Sequence, residues 1–244
     1  MRAVRAPAVT PSTEAAAADP DPHREPPPPE SGDDMDLGDL RAVGELRSIT
    51  QVLSAYRAGL FPMGLGEGGS GPIGWWAPRR RGVLRPGELH VSTSLRRSMR
   101  RFSVTVDTDF AAVVRACADP ARPGAWITEE FIELYLVLHR AGYAHSVEVR
   151  ADEELVGGLY GVALGGVFAG ESMFHTRTDA SKAALAHLVG ILDGADDPAP
   201  WLIDTQWRTP HLARLGVSEI SAFEYLSALR SALERNHSQA FLTD

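Results

Sequence analysis

The chain has 244 residues, of which 44% are apolar, enough for one large domain or two smaller ones with a buried core. Its single cysteine, Cys117, excludes an intramolecular disulfide and a zinc site built from paired cysteines. No stretch reaches the roughly 18 consecutive apolar residues of a membrane-spanning helix, and the start of the chain lacks the apolar run of a signal peptide. We therefore expect a cytoplasmic protein.

The net charge of −8 is unevenly distributed. Residues 1–40 contain nine acidic residues against three arginines, so the rest of the chain carries only −2. Residues 79–101 contain eight arginines and one acidic residue. This basic segment on a nearly neutral body keeps a nucleic-acid partner open, although the average charge argues against one.

Three regions are predicted along the chain. Residues 1–34 are rich in proline, alanine and aspartate and bury too little apolar surface to offset their ordering entropy, so they are predicted to be a disordered tail. Residues 35–79 and 80–244 are the other two regions, and the resemblance described below implies that they are a small N-terminal domain and a GNAT-like catalytic domain.

The first predicted helix begins with a capping-box pattern at Ser48 and ends at Gly59. The following segment, from Phe61 to Pro78, mixes glycine, proline and aromatic residues and is predicted to contain no regular element. Its Trp75 and Trp76 fit two interpretations, either anchors of a core or an aromatic wall for a base or an apolar side chain.

The second predicted helix has an apolar stripe that includes Leu95 and Met99. At 100° per residue, four arginines fall on the opposite face. Both a solvated surface and a phosphate-binding surface agree with such a face. These arginines are Arg96, Arg97, Arg100 and Arg101.

The remaining elements follow from capping residues, turns and hydrophobic periodicity. Helices packed around a mainly antiparallel sheet make the fold class α+β, compatible with a GNAT-like acyltransferase domain. In chain order we predict a strand at 104–106, helices capped by Asp109 and Thr128, a three-strand meander over 144–172, a helix over 179–192, a strand over 201–206, a short helix capped by Thr209 and a helix opened by the capping box Ser221–Glu224.

Two groups of polar residues interrupt apolar strands. Glu171 lies within the third strand of the meander, where an unpaired buried carboxylate would be costly, so it is either hydrogen-bonded for structural reasons or placed at a pocket. Asp204 and Gln206 lie at the end of a strand and are expected to share one face, because side chains repeat with a period of two. They fit either a structural cap or a site.

Eight segments together resemble the leucyl/phenylalanyl-tRNA–protein transferase family over roughly residues 45–230, with order and spacing kept. The segments are YRAGLFPM (56–63), WWAPRRRGVL (75–84), AWIT (125–128), HSVEV (145–149), LVGGLYGVALGGVFAGESMF (155–174), ASKAAL (180–185), LIDTQ (202–206) and HLARLGVSEI (211–220).

This resemblance implies transfer of Leu or Phe, and less readily Met, from aminoacyl-tRNA to proteins whose first residue is Arg or Lys. The products would be substrates of N-end-rule degradation. The ester donor is already activated, so neither a cofactor nor a metal is expected. The partners would be aminoacyl-tRNA and the acceptor protein, with no membrane, and the enzyme would act as a monomer.

The resemblance also assigns roles to single residues. Asp204 and Gln206 match the catalytic pair, in which we expect Asp204 to hold the Gln206 amide, to add negative potential and to favour the cationic acceptor. Arg96, Arg97, Arg100 and Arg101 would contact the tRNA backbone. The residues that match the pocket for the transferred side chain are Glu171, Leu159, Phe168 and Ile203, and those that match the adenosine site are Trp126, Tyr56 and Tyr135. Met63 departs from the family pattern, standing where some members have a tryptophan.

Three alternatives remain. A GNAT acetyltransferase would use acetyl-CoA, but the sequence has no Q/R-x-x-G-x-G/A loop to bind its pyrophosphate. A non-catalytic tRNA-binding module would need the arginine face and not Asp204. An inactive degradation adaptor would bind Arg or Lys N-termini without modifying them.

Overall fold

The computed structural model contains a small N-terminal sheet and a large C-terminal sheet that is mostly antiparallel. The predicted α+β class with these two parts is confirmed. The tail predicted over residues 1–34 lies outside the described residues. No helix among the described residues is both long and apolar enough to cross a membrane. The described residues are 37–46, 48–122, 124–195, 200–235 and 241.

The N-terminal sheet consists of β1 (Leu40–Gly44), β2 (Phe61–Gly64) and β3 (Ile73–Trp76) in the order β1-β3-β2, all antiparallel. The prediction of no regular element between Phe61 and Pro78 is therefore wrong. Every residue of β3 is buried, because strands pair on both sides of it. Gly74 allows the side chains of Leu40, Leu65 and Trp76 to pack closely over this strand. Long-range pairing thus overrides the irregular local sequence.

The C-terminal sheet has seven strands in the order β10-β4-β9-β8-β7-β6-β5. The pair β8–β9 is parallel, and the other five pairs are antiparallel. The predicted meander forms β6, β7 and β8, whereas β4 and β10 were not predicted. The strands are β4 (Arg80–Leu84), β5 (Ser103–Val106), β6 (Ala144–Ala151), β7 (Glu154–Leu164), β8 (Val167–His175), β9 (Leu202–Gln206) and β10 (Ser218–Ser221).

The helices agree with the sequence signals except in the details of their caps. The side chains of Ser48, Thr209 and Ser221 accept capping hydrogen bonds as predicted. Asp109 and Thr128 precede helices but make no side-chain capping bond. The helices are α1 (Ile49–Arg57), α2 (Thr93–Met99), α3 (Phe110–Cys117), α4 (Glu129–Arg140), α5 (Ala180–Gly194), α6 (Pro210–Arg214) and α7 (Ala222–Leu233).

Both faces of the large sheet are covered, so its strands bury residues on each side. On one face, here called the N-domain face, α1, α3 and α4 pack with the small sheet around Tyr160 and Ala169. On the opposite face, here called the α5 face, α5 packs over Leu159 and Phe168. A smaller cluster joins α7 to the end of the sheet at β4. The candidate site lies where these clusters meet.

Candidate active site

A β-bulge places Glu171. Gly170 pairs with Gly161 of β7, and Ser172 pairs with Tyr160, the adjacent residue, so Glu171 is an extra residue without a partner in β7. A bulge bends the strand and redirects side chains near it. The Glu171 carboxylate lies on the N-domain face, as Ala169 two residues earlier does, and Tyr56 and Tyr135 of that cluster donate hydrogen bonds to it.

A second register shift separates the predicted catalytic pair. The partner of Asp204 in β4 is Val83, and the partner of Gln206 is Gly82, the residue just before Val83, so Thr205 is extra. The Thr205 hydroxyl lies against Gly82, on the face opposite to that of Arg81 and Asp204. The shared face of Asp204 and Gln206 stays a prediction, because Gln206 follows the bulge, where the two-residue period is interrupted.

The parallel pairing of β8 with β9 ends between these two bulges. Its last pair is Ala169 with Asp204, although β8 continues to His175 and β9 to Gln206. Both Glu171 and Gln206 lie two residues beyond this last pair. We call this break in the sheet, bordered by Glu171 and Gln206, the β8–β9 gap.

The Asp204 carboxylate is fully occupied by protein donors. Arg81 donates from Nε to Oδ1 at 2.8 Å and from Nη2 to Oδ2 at 2.6 Å. The Tyr225 hydroxyl donates to Oδ2 at 2.8 Å, and the backbone N–H of Gln206 donates to Oδ1 at 2.9 Å. Two donors on each oxygen and an exposure of 1% leave Asp204 no capacity for a further ligand.

Arg81 connects this carboxylate to both domains. Its guanidinium carbon lies 4.8 Å from the centre of the Phe61 ring in β2 and 4.4 Å from that of Tyr225 in α7. Burial acts to lower the pKa of Arg81, but the charge of Asp204, its hydrogen bond and the neighbouring Tyr225 and Glu171 together outweigh burial, so this pKa stays above its ordinary value. The pKa of Tyr225 is raised by burial and then by Asp204. Both donors therefore remain protonated.

Gln206 is held in an unusual conformation at the end of β9. Its φ of 57° lies in the left-handed region, which costs energy for a residue with a side chain. The bond from its backbone N–H to Asp204 stabilises this turn. The residue is 7% exposed, and its Nε2 group is buried without a hydrogen-bond partner among the described residues. Buried polar groups in folded proteins nearly always have a hydrogen-bond partner, so this amide group can donate to an acceptor from outside the chain.

These contacts correct two expectations about Asp204. The carboxylate holds the backbone N–H of Gln206 and not its side-chain amide. It is also neutralised by Arg81 and buried, so it does not face a cationic acceptor. Sequence reasoning missed Arg81 and Tyr225. The available signal was Arg81 beside the apolar run Val83-Leu84, where an arginine in a buried strand requires a carboxylate partner.

Glu171 binds two tyrosine hydroxyls. Tyr56 donates to Oε1 at 2.7 Å and Tyr135 to Oε2 at 2.6 Å. Burial raises the pKa of Glu171 to about 7, the two tyrosine hydrogen bonds oppose this rise, the charge of Asp204 adds to it and that of Arg81 opposes it. The pKa values of both tyrosines are raised by burial and by Glu171, so both hydroxyls stay protonated.

The three residues assigned to adenosine are connected, Trp126 to Tyr135 through the Phe131 ring and Tyr135 to Tyr56 through their hydroxyls, 3.4 Å apart. Trp126 meets Phe131 edge to face at 5.1 Å, and Phe131 stacks with Tyr135 at 6.3 Å. Trp126 is partly exposed, whereas Tyr56 and Tyr135 are buried and their hydroxyls serve Glu171. Gly69 packs against the carbonyl of Trp126, which joins the N-terminal domain to this segment. Trp126 is therefore the accessible ring of the three.

The four residues assigned to the side-chain pocket fall into two groups. Leu159, Phe168 and Ile203 lie together in the cluster on the α5 face, each at most 3% exposed, with the partly buried Met173 beside them. Glu171 contacts the N-domain face. The apolar trio and the carboxylate are thus on opposite sides of the sheet and border the same β8–β9 gap.

The predicted arginine face lies partly on α2: Arg96 and Arg97 are in the helix, whereas Arg100 is its C-cap and Arg101 follows it. Leu95 is buried, and the capping residue Ser92 fixes the start of the helix through a 3.1 Å bond to the N–H of Leu95. The four arginines of this face, Arg96, Arg97, Arg100 and Arg101, are all exposed. Among the described residues, no cluster of His, Cys, Asp and Glu side chains has the arrangement of a metal site.

Comparison with known proteins identifies the family. A family model described as leucyl/phenylalanyl-tRNA protein transferase matches residues 83–230, and the model of its N-terminal domain matches residues 48–79. The chain belongs to the leucyl/phenylalanyl-tRNA protein transferase family. A transferase of this name from Anaeromyxobacter sp. (strain Fw109-5) is 50% identical over 213 residues, covering 83% of this chain and 87% of the relative. One from Oleidesulfovibrio alaskensis is 47% identical over 207 residues, covering 80% of each.

The two matched regions of the leucyl/phenylalanyl-tRNA protein transferase family meet at the candidate site. Phe61 and Tyr56 come from the N-terminal match, and they contact Arg81 and Glu171 respectively. Glu171 and Asp204 come from the second match. A site that draws contacts from both matched regions explains why both occur together in one chain.

Proposed function

We propose that this protein transfers Leu or Phe, and less readily Met, from aminoacyl-tRNA to proteins beginning with Arg or Lys. A peptide bond forms, and the product becomes a substrate of N-end-rule degradation. The family match over both regions supports the reaction class. At the site, the proposal depends on the turn at Gln206, which lies beside the β8–β9 gap. Asp204 accepts a hydrogen bond from the backbone N–H of Gln206 and is itself held by Arg81.

The donor is proposed to bind across the β8–β9 gap. The terminal adenine stacks on Trp126, a contact worth ~1–3 kcal/mol for any base. The aminoacyl side chain enters between Leu159, Phe168 and Ile203 on the α5 face. A purely apolar pocket separates similar side chains weakly, since one methylene is worth ~1–3 kcal/mol, and this agrees with acceptance of both Leu and Phe.

Gln206 is proposed to position both reactants. Its buried Nε2 group, which has no partner among the described residues, donates to the ester carbonyl oxygen, and its Oε1 accepts a hydrogen bond from the attacking amine. The role is positioning, because an amide is too weak a base to remove a proton. Asp204 and Arg81 act by fixing the backbone of Gln206 in its left-handed conformation.

The remaining parts of the proposal concern organisation and partners. Arg96, Arg97, Arg100 and Arg101 contact the tRNA backbone, since exposed arginines without neighbouring acids suit phosphates. We propose the domain division at residues 79/80, with 1–34 as a disordered tail. We also propose a monomer, because one chain supplies every contact described at the site, and a cytoplasmic location, where aminoacyl-tRNA is found.

A transfer assay tests the function. The protein is incubated with radiolabelled Leu-tRNA or Phe-tRNA and with peptides that begin with Arg, Lys or Asp. We expect label on the Arg and Lys peptides and none on the Asp peptide. Asp204→Asn should lose transfer, whereas the control Asp152→Asn, at a side chain 92% exposed in the β6–β7 turn, should retain it.

Other outcomes would assign a different function. Complete absence of label with both donors would contradict the enzyme proposal. Retained tRNA binding with no transfer would favour a tRNA-binding module, and binding of Arg peptides without transfer would favour an adaptor. Heat released on titration with acetyl-CoA would favour an acetyltransferase.

A further inference from the structure

We propose that the Glu171 carboxylate is the catalytic base that removes the proton from the acceptor's α-ammonium group. This inference rests on the proposed function and adds to it the proton acceptor that Gln206 is too weak a base to provide. Glu171 borders the β8–β9 gap from β8, opposite Gln206 at the end of β9. Among the described residues, it is the carboxylate at the gap that keeps free lone pairs.

The carboxylates of Asp204 and Glu171 differ in the number of hydrogen bonds that they accept. Each oxygen of Asp204 accepts two hydrogen bonds, and the residue is 1% exposed. Each oxygen of Glu171 accepts a single hydrogen bond from the described residues, one from Tyr56 and one from Tyr135. Glu171 is also partly exposed. One carboxylate is therefore closed to substrate, whereas the other has room for an N–H donor and for the proton it releases.

The bulge gives the carboxylate its position. In a regular strand the residue at this place would pair with β7, whereas the bulge leaves Glu171 unpaired and turned toward α1 and α4. The two tyrosine hydroxyls hold its two oxygens from these two helices. The carboxylate is thus oriented before substrate binds, as a proton acceptor must be.

The other described titratable groups that face Glu171 are not suited to accept a proton near neutral pH. Tyr56, Tyr135 and Tyr160 have raised pKa values, through burial first, and remain neutral hydroxyls. Burial also raises the pKa of Cys117, behind Tyr160, to about 11. Among the charged groups, Arg81 and Asp204 form an ion pair in which their charges offset each other. Arg122 donates a hydrogen bond to the carbonyl of Met173.

The acid strengths of the two partners match. The pKa of Glu171 is about 7, and that of a protein α-amine is ~8. Proton transfer between groups of such similar pKa is nearly balanced, which is the condition under which general-base catalysis is effective near neutral pH. An ordinary glutamate, with a pKa of ~4.3, would be too weak a base by several units.

The reaction balances with this single base. Glu171 takes one proton from R–NH3+, and the neutral amine attacks the ester carbonyl carbon to form the new C–N bond. A second proton passes from the attached nitrogen to the ribose oxygen as the C–O bond breaks. The products are the amide, the free tRNA hydroxyl and a protonated Glu171, which releases its proton to solvent.

The test is the pH dependence of Glu171→Gln. Single-turnover rates of Leu transfer to an Arg peptide are measured from pH 6 to 9 with saturating Leu-tRNA, corrected for ester hydrolysis without acceptor. At pH 7 the variant should be slower by roughly 10-fold, because only about a tenth of an α-amine with a pKa of ~8 is already neutral. It can use only amine that is already neutral, so its deficit should shrink as the pH rises and should be nearly absent at about pH 9, where most of the amine is neutral.

Two tyrosine variants test whether Glu171 acts as a base or only maintains the structure of the site. Tyr135→Phe removes a hydrogen bond that lowers the pKa of Glu171, so the acid limb of the pH profile should move to higher pH. Tyr160→Phe is the matched control, because the Tyr160 hydroxyl has no partner among the described residues, and it should leave the profile unchanged. Thermal unfolding of each variant checks that the fold is kept.

The outcomes distinguish this inference from the proposed function. If wild-type protein transfers Leu and Glu171→Gln is slowed by the same factor at every pH, or not at all, Glu171 is not the base. If wild-type protein transfers nothing, the proposed function itself fails. A pH-dependent deficit together with the Tyr135→Phe shift would support the proposal.

Discussion

The Arg81–Asp204 ion pair is expected both to stabilise the fold and to hold the turn at Gln206. The variant Arg81→Met tests the first of these effects through the free energy of unfolding. Both side chains are 1% exposed, and the pair is bidentate. Removing Arg81 leaves Asp204 with a buried charge and only the donors Tyr225 and Gln206. Breaking a buried ion pair from one side costs ~3–5 kcal/mol. We therefore expect the free energy of unfolding to fall by about 4 kcal/mol.

The double variant Arg81→Met with Asp204→Asn removes both charges and should be more stable than either single variant. The neutral amide needs no counter-charge and still accepts a hydrogen bond from the N–H of Gln206. We expect a loss of about 1–2 kcal/mol, which corresponds to a coupling energy of several kcal/mol between the two sites. Transfer activity should stay low, because the turn at Gln206 loses its charged anchor.

Urea unfolding followed by the fluorescence of the five tryptophans measures these energies. Arg80→Met is the matched control, since the neighbouring arginine pairs with Glu219 on the surface with side chains 63% and 39% exposed. Such a pair is worth ~0–1 kcal/mol. A loss below about 1 kcal/mol for Arg81→Met, or a double variant as unstable as the sum of the single ones, would refute the reasoning.

Three further predictions concern substrate binding. Arg96→Ala with Arg100→Ala should weaken tRNA binding and reduce the slope of log K against log salt by roughly two units, whereas Arg230→Ala, an exposed arginine on α7, should not, as measured by filter binding at several salt concentrations. Trp126→Ala should raise the KM for aminoacyl-tRNA by roughly 5- to 150-fold, from ~1–3 kcal/mol of lost stacking, with less effect on kcat; an unchanged KM would remove Trp126 from the adenosine site. Phe168→Ala should enlarge the apolar pocket and shift the kcat/KM ratio toward Phe over Leu, and an unaltered ratio would place the donor side chain elsewhere.

The sequence alone determined much of the local structure. Ser48, Thr209 and Ser221 specify helix starts because each cap is a hydrogen bond between residues three apart. The meander could also be predicted, because its turns, at Asp152 and Gly165, adopt positive φ at residues that tolerate it or that the short connection requires. The basic face of α2 follows from helical periodicity in the same way.

The geometry of the site depends on contacts between residues far apart in the chain. Arg81 and Asp204 are 123 positions apart in the chain, and Tyr56 and Glu171 are 115 positions apart. A local sequence pattern therefore predicts neither pair. The bulges at Glu171 and Thr205 form only where neighbouring strands pair, and they interrupt the regular register of β8 and β9. Sequence patterns thus identified Asp204, Gln206 and Glu171 as polar candidates in apolar strands. Which donors each carboxylate binds was decided by strand pairing in the folded protein, because a pairing register is a property of two strands and not of either one.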